Sequence, residues 1–159
     1  MSKGKIIVQL HNFSSINICT DFIQTASAIG AKEIVFSQAS GRGASAGIPM
    51  GQKEAINRKV NFFVFQDIKD TIELLKPDEI YLFIRKPFSK ENFSPEKIAE
   101  SYKQGKTILL VFGGSKPGLS KKDLELGTSV YFEGLNELSL IGELTLSLYL
   151  IRKEIEKSG

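Results

Sequence analysis

Short apolar runs rich in β-branched and aromatic residues alternate along the chain with longer amphipathic stretches. Six short runs, Lys5–Leu10, Glu33–Phe36, Asn61–Phe65, Glu79–Ile84, Thr107–Phe112 and Ser129–Phe132, lack hydrophilic alternation. That is the pattern of strands covered on both faces. Between them the spacing predicts helices. Asn17 to Ile29 places Ile18, Phe22, Ala26 and Ile29 on one stripe and stops at Gly30. Ile68 to Leu75 follows Asp67 as N-cap and halts before Pro77, and Pro95 to Tyr102 starts with Ser94 as cap. Ser139 to Lys157 forms the last helix. The βαβα order predicts an α/β fold, a mostly parallel sheet with helices on both faces, in one domain over residues 1–159. The stretch Gly41–Gly51, with four glycines and one proline, reads as a mobile loop.

Ligands of such sheets bind beyond the carboxyl ends of the strands, here the loops after Leu10, Phe36, Ile84, Phe112 and Phe132. The segment from Ile108 to Leu119 is the most informative of these. A hydrophobic strand runs into Gly113-Gly114 and then Pro117-Gly118, where glycine lets the backbone approach a ligand and proline fixes the next turn. The alternative is a tight strand-to-helix turn with no ligand. Lys116 is not placed as in a Walker A loop, and the spacing is not G-x-G-x-x-G. In the last helix Ile141, Leu144, Leu148, Ile151 and Ile155 form one stripe, and Leu140, Leu146 and Leu150 add a second sector. A helix apolar on more than one face is central in a core or half of a subunit interface.

Composition narrows the choice of class. The chain is 42% hydrophobic and 25% charged, too apolar for disorder. Its net charge of +3 is compatible with a nucleic-acid partner without establishing one. The single Cys19 excludes an intramolecular disulfide and a cysteine-based metal site, and His11 is also alone, so no metal is expected and a reducing cytoplasm is. No signal-peptide pattern opens the sequence, and the longest apolar stretch, Leu138 to Ile151, is interrupted and shorter than the ~20 residues of a membrane span.

Among polar groups near strand ends, His11 reads as a structural histidine, Arg42 as a phosphate contact or an exposed loop residue, and Asn12, Glu133 and Glu137 as further candidates. Glu143 would be costly to bury unpaired, which places it at a polar edge or opposite a basic residue across an interface. Lys53, Arg58, Lys59, Arg85, Lys86 and Lys90, with Phe88 and Phe93, offer an RNA-facing surface or simply solvated faces. A magnesium-dependent nuclease needs clustered carboxylates; Pro77-Asp78-Glu79 is the one tempting run, and no E-x-K follows it. A phospho-receiver domain needs an acidic pair after the first strand, where this chain has His11-Asn12.

The succession L-L-V-F-G-G-S-K-P-G-L-S, a strand, then E-G-L-N-E-L-S and a long apolar helix resembles the second and third motifs of the SPOUT superfamily of RNA methyltransferases. The stretch from Leu10 to Gly30 resembles the first motif of its ribose-methylating, SpoU-like branch, with Asn12, Thr25, Ala26 and Gly30 on matching positions. The look-alikes include small archaeal proteins labelled SpoU-like methylases and sometimes nucleases. The resemblance implies a C-terminal deep trefoil knot, S-adenosylmethionine as cofactor, a structured tRNA or rRNA as substrate, and a homodimer formed through the last helix. It implies cofactor contacts from Ile84, Phe112, Gly113, Gly114, Gly118, Leu119, Phe132, Gly134, Leu138 and Ser139, and catalytic roles for Asn12, Gln24 and Arg42. This sequence departs from the pattern at three places. The conserved first-motif asparagine falls on Ile18, with Asn17 one position away. The first-motif arginine falls on Gln24, whose amide does not titrate, and the second-motif glutamate falls on Ser115. A cofactor- or RNA-binding regulator without catalysis is therefore the alternative expectation.

Overall fold

The computed structural model describes residues 3–115 and 118–157. Lys116 and Pro117 of the glycine loop, and with them the turn expected at Pro117, lie outside the described residues. The strands are β1 (Lys5–Phe13), β2 (Glu33–Ala39), β3 (Asn61–Phe65), β4 (Glu79–Phe83), β5 (Glu91–Asn92), β6 (Thr107–Gly113) and β7 (Thr128–Tyr131). All pair in parallel in one sheet of order β3-β2-β1-β6-β4-β7-β5. The helices are α1 (Asn17–Ala28), α2 (Ile48–Arg58), α3 (Ile68–Leu75), α4 (Pro95–Lys103), α5 (Lys121–Leu124) and α6 (Leu140–Lys157).

The period of two along each strand divides the core. Val8, Leu10, Ile34, Phe36, Ile108, Leu110, Phe112 and Phe83 face one way, onto residues of α1, α2, α4 and α6. Ile7, Val35, Leu109, Val111 and Leu82 face the other, onto α3 and the segment from Leu119 to Leu126 that holds α5. Both faces of the central strands are thus covered, which is why their sequences read as continuous apolar runs. An aromatic stack of Phe83 on Phe112, with ring centroids 4.4 Å apart, closes the first face near the carboxyl ends of β4 and β6.

The expected α/β class and parallel sheet are observed, and Asp67 and Ser94 are the caps of α3 and α4. Asp67 forms a reciprocal capping box with Asp70. Three elements differ from expectation. The two-residue β5 is wholly polar and carries no hydrophobic signal, and α5 is a single turn. The third is the stretch expected as a mobile loop, which is helical: a π-helical turn over Gly43–Gly47 runs directly into α2, with Pro49 in its first turn. Gly43, Gly47 and Gly51 recur every four residues and lie on one face. A Cβ on Gly47 would sit 2.6 Å from Cys19 Sγ, one on Gly43 3.0 Å from the Ser14 backbone, and one on Gly51 3.1 Å from the Phe36 ring. These glycines exist for close helix packing, which outweighs their low helix propensity.

Candidate functional site

Strands β6, β4 and β7 are neighbours in the sheet, so the loops leaving their carboxyl ends converge on one side of the molecule. They enclose a cleft of about 1410 Å³, larger than a typical small-molecule pocket of about 300–1,000 Å³. Its walls are the segment after β4 (Ile84–Lys86 and Phe88), the glycine loop with α5, and residues 131–140 leading into α6, together with Glu143.

The glycine loop is tightly folded. A Cβ on Gly113 would fall 2.6 Å from Gly118 Cα, and one on Gly114 would fall 2.8 Å from the Asn12 carbonyl oxygen. Gly118 itself has φ of +91°, a conformation that disfavours side chains. The room made by these glycines is filled by the chain itself, and Asn12 Nδ2 donates to the Gly118 carbonyl at 3.1 Å. Backbone rather than side chain therefore forms this wall of the cleft. The facing wall is fixed from β5, where Asn92 Oδ1 accepts from the Glu133 N–H at 3.0 Å. Beside it, the Lys90 N–H donates to Ser129 Oγ at 3.0 Å. In the last wall, Gly142 leaves space for Leu138 to fold back over α6; a Cβ there would lie 2.7 Å from Leu138 Cδ1.

The electrostatics are mixed. Arg85 lies over the Phe88 ring, and Lys86 lies over Tyr131 with its Nζ 4.0 Å from Glu133. Glu143 faces the cleft from the first turn of α6, and burial pushes its carboxyl up to about 7.

Of the ten residues expected around a cofactor, nine line this cleft: Ile84, Gly113, Gly114, Gly118, Leu119, Phe132, Gly134, Leu138 and Ser139. Phe112 does not; its side chain is fully buried in the core, stacked on Phe83. Asn12, Gln24 and Arg42 do not line the cleft. Asn12 clamps the glycine loop from behind, Gln24 is exposed on α1, and Arg42 is exposed where the π-helical turn begins. The basic residues also divide. Arg85 and Lys86 line the cleft with Phe88, whereas Phe93 is in the core and Arg58 pairs with Glu54 at 2.6 Å on α2. Asp78 and Glu79 serve structure at the opposite end of the sheet: Asp78 Oδ2 accepts from the Thr107 N–H at 2.8 Å, and Glu79 accepts from the hydroxyls of Ser101 and Tyr81.

His11 is only half satisfied. Its Nδ1 is hydrogen-bonded with Ser37 Oγ at 2.8 Å, but the fully buried Nε2 makes no hydrogen bond and stands 3.5 Å from Asp123 Oδ2. Burial lowers its pKa, and the charges of Asp123 and Asp67 act against that shift.

The architecture is that of solved methyltransferases. A "probable methyltransferase" from Bordetella pertussis superposes with a TM-score of 0.73 over 96% of this chain and 95% of that one, at 12% identity. An rRNA methyltransferase from Sinorhizobium meliloti solved with AdoMet bound gives 0.71 over 97% of this chain and 58% of that one, at 16% identity. The SpoU methyltransferase AviRb from Streptomyces viridochromogenes gives 0.73 over 98% and 62%, at 13% identity. These likenesses establish the fold of the SpoU-type methyltransferases.

By sequence, residues 41–150 match the family described as "RecB-family nuclease (DUF2122)", and the chain belongs to that family. A "Putative type II restriction enzyme" of Methanocaldococcus jannaschii is 30% identical over 151 residues, 95% of this chain and 99% of that protein. One of the same description from Aeropyrum pernix is 26% identical over 148 residues, 92% of each. The names of the structural neighbours and the description of the family therefore differ in the chemistry they state. No helix among the described residues is long and apolar enough to cross a membrane.

Proposed function

We propose that this protein is an S-adenosylmethionine-dependent methyltransferase acting on ribose or base of a structured tRNA or rRNA in the cytoplasm. The observation that carries this reading is the convergence of the loops after β4, β6 and β7 on one cleft, with nine of the ten expected cofactor residues in its walls. The cofactor fits what is present. The backbone-lined glycine wall suits close approach, and Ile84, Leu119, Phe132 and Leu138 supply apolar contact for an adenine ring. When bound, the sulfonium supplies an electrophilic methyl group; the nucleophile on RNA needs only to lose one proton and be aligned. Gln24 cannot take that proton. Glu143 can, since it lies in the cleft and its carboxyl, raised to about 7, is matched to proton transfer at neutral pH. Arg85 and Lys86 at the rim, with Phe88, offer charge to phosphate and a ring to an unstacked base. Homodimerisation through α6 is part of the proposal; Tyr149 is 50% exposed on that helix and Leu135 52% exposed just before it.

Calorimetry with S-adenosylmethionine and S-adenosylhomocysteine tests the cofactor. Binding of either supports the reading, and failure of both at millimolar concentration overturns it. Comparison of RNA modifications between a deletion strain and its parent then separates an enzyme from a second reading, a non-catalytic cofactor- or RNA-binding regulator. The exposure of Gln24 and Arg42 away from the cleft favours that second reading. Magnesium-dependent cleavage of nucleic acid, unaffected by a bulky residue at Gly113, would instead support the nuclease label.

A further inference from the structure

On the face of the sheet that carries α3 and α5, the core gives way to polar groups near the carboxyl end of β1. Gln9 and His11 project to that side, two and four residues beyond Ile7, and Ser37 follows Val35 beside them on β2. Gln9 Nε2 donates to Ser37 Oγ at 2.7 Å, and Ser37 Oγ meets His11 Nδ1 at 2.8 Å. This chain holds the imidazole so that Nε2 points away from β2. Asp67, ahead of α3, and Asp123, within α5, approach from the helices above. One ligand atom from each of His11, Asp67 and Asp123 lies within 4.8 Å of the others.

As it stands, the cluster leaves one deeply buried ring nitrogen without a geometric hydrogen bond. Two carboxylates and an imidazole are gathered where the histidine is completely buried, and Nε2 has no hydrogen-bond partner. A buried polar atom of this kind is destabilising unless something satisfies it. A cation does so for all three groups together. A tetrahedral ion with bonds near 2.1 Å separates its donors by about 3.4 Å, close to the 3.5 Å between Nε2 and Asp123 Oδ2. With all three donors within 4.8 Å of one another, a single point lies within about 2.8 Å of each, so a contraction of some tenths of an ångström brings them to bonding distance. Ser37 is the outer partner that a metal-binding imidazole ordinarily has on its other nitrogen.

We propose that His11 Nε2, Asp67 and Asp123 form a binding site for one divalent transition-metal ion of the zinc or manganese class, a donor set of one imidazole and two carboxylates. The ion ties β1 to the start of α3 and to α5. Through α5 it steadies one wall of the cleft, because Leu119, Ser120, Lys121 and Leu124 belong to that wall. The site is independent of the methyltransferase reading, and its test involves no cofactor or RNA.

The untagged full chain, stripped with a chelator, is titrated with zinc chloride and separately with manganese chloride by calorimetry, and its thermal midpoint is followed. The expected result is one equivalent bound with a raised midpoint. Asp67→Asn and Asp123→Asn are the informative variants, because asparagine keeps the helix-capping hydrogen bonds while removing charge. Each should weaken binding at least about tenfold, as loss of a ligand outweighs the 10–100-fold cost of losing an outer partner, with circular dichroism unchanged. His11→Gln should abolish the single site. No binding at millimolar metal by a folded protein overturns the proposal, as does stoichiometric binding that survives all three substitutions. Should a variant fail to fold, proton NMR of the parent decides. Metal-dependent shifts of the imidazole resonances support the site, and their absence rejects it.

Discussion

Two glycine-rich segments stand at the same end of the sheet and reach opposite outcomes. In 41–51 the glycines fall every four residues and bring a helix against α1 and the end of β1, leaving that end closed. In 113–118 they let a loop fold on itself and on Asn12, and the backbone surface so made faces an open cleft. Glycine marks where a Cβ does not fit in both cases. What occupies the saved space is decided by which strands are neighbours, and the loops after β6, β4 and β7 enclose the cleft.

The largest effect that would break this comparison is at the open segment. Gly113→Val is expected to lower affinity for S-adenosylmethionine at least about a hundredfold, an effect of ~2.7 kcal/mol, because its Cβ meets only backbone. Calorimetry reads it, and retained binding would mean that the loop is no cofactor wall. At the closed segment Gly47→Ala should cost about 1–3 kcal/mol of stability by overpacking. There the obstacle is the Cys19 sulfur, so Cys19→Ala in the same chain should restore about 1 kcal/mol, the coupling expected of touching residues. Denaturant melts of the four proteins in that cycle measure it.

A third effect separates the two regions by pH. Native Glu143 holds its proton up to about 7, whereas the unfolded carboxyl releases it near 4.5. Between those values the native state binds more protons, so stability falls as pH rises through the window and levels off above it. Glu143→Gln should flatten that slope, seen in thermal midpoints across the range, and should reduce methyl transfer where that activity is measured. The smallest effect is at Ser120, whose hydroxyl caps α5 by accepting from the Asp123 N–H at 3.1 Å. Ser120→Ala should cost about 0.5–1 kcal/mol, with faster amide hydrogen exchange confined to 119–126 and none added in α2.

Much of the fold was legible because buried parallel strands announce themselves as unbroken apolar runs, and because Asp67 and Ser94 are ordinary helix caps. The cleft was legible in the same way, since its walls leave strands that can be counted. What stayed hidden has physical causes. A glycine face every four residues looks like a loop until the partner helix is known. The polar β5 has no hydrophobic signature at all. Phe112 follows the period of two into the core, and no linear spacing ties His11 to carboxylates 56 and 112 positions later. Glu143 could have been weighed as a cleft residue, because it opens the last helix just after a strand end, where ligands of such sheets bind.

The place of β6 between β1 and β4 also bears on how the molecule comes into being. Lys5 pairs with Thr107 and His11 with Gly113, so β1 keeps one unsatisfied hydrogen-bonding edge until residues 107–113 have emerged from the ribosome. Strands β1, β2 and β3 can assemble early, but the centre of the sheet waits for a segment about 100 residues further along the chain. Such distant pairing slows folding and prolongs exposure of a sticky edge. Nascent chains halted before residue 107 are therefore the form of this protein most in need of a chaperone.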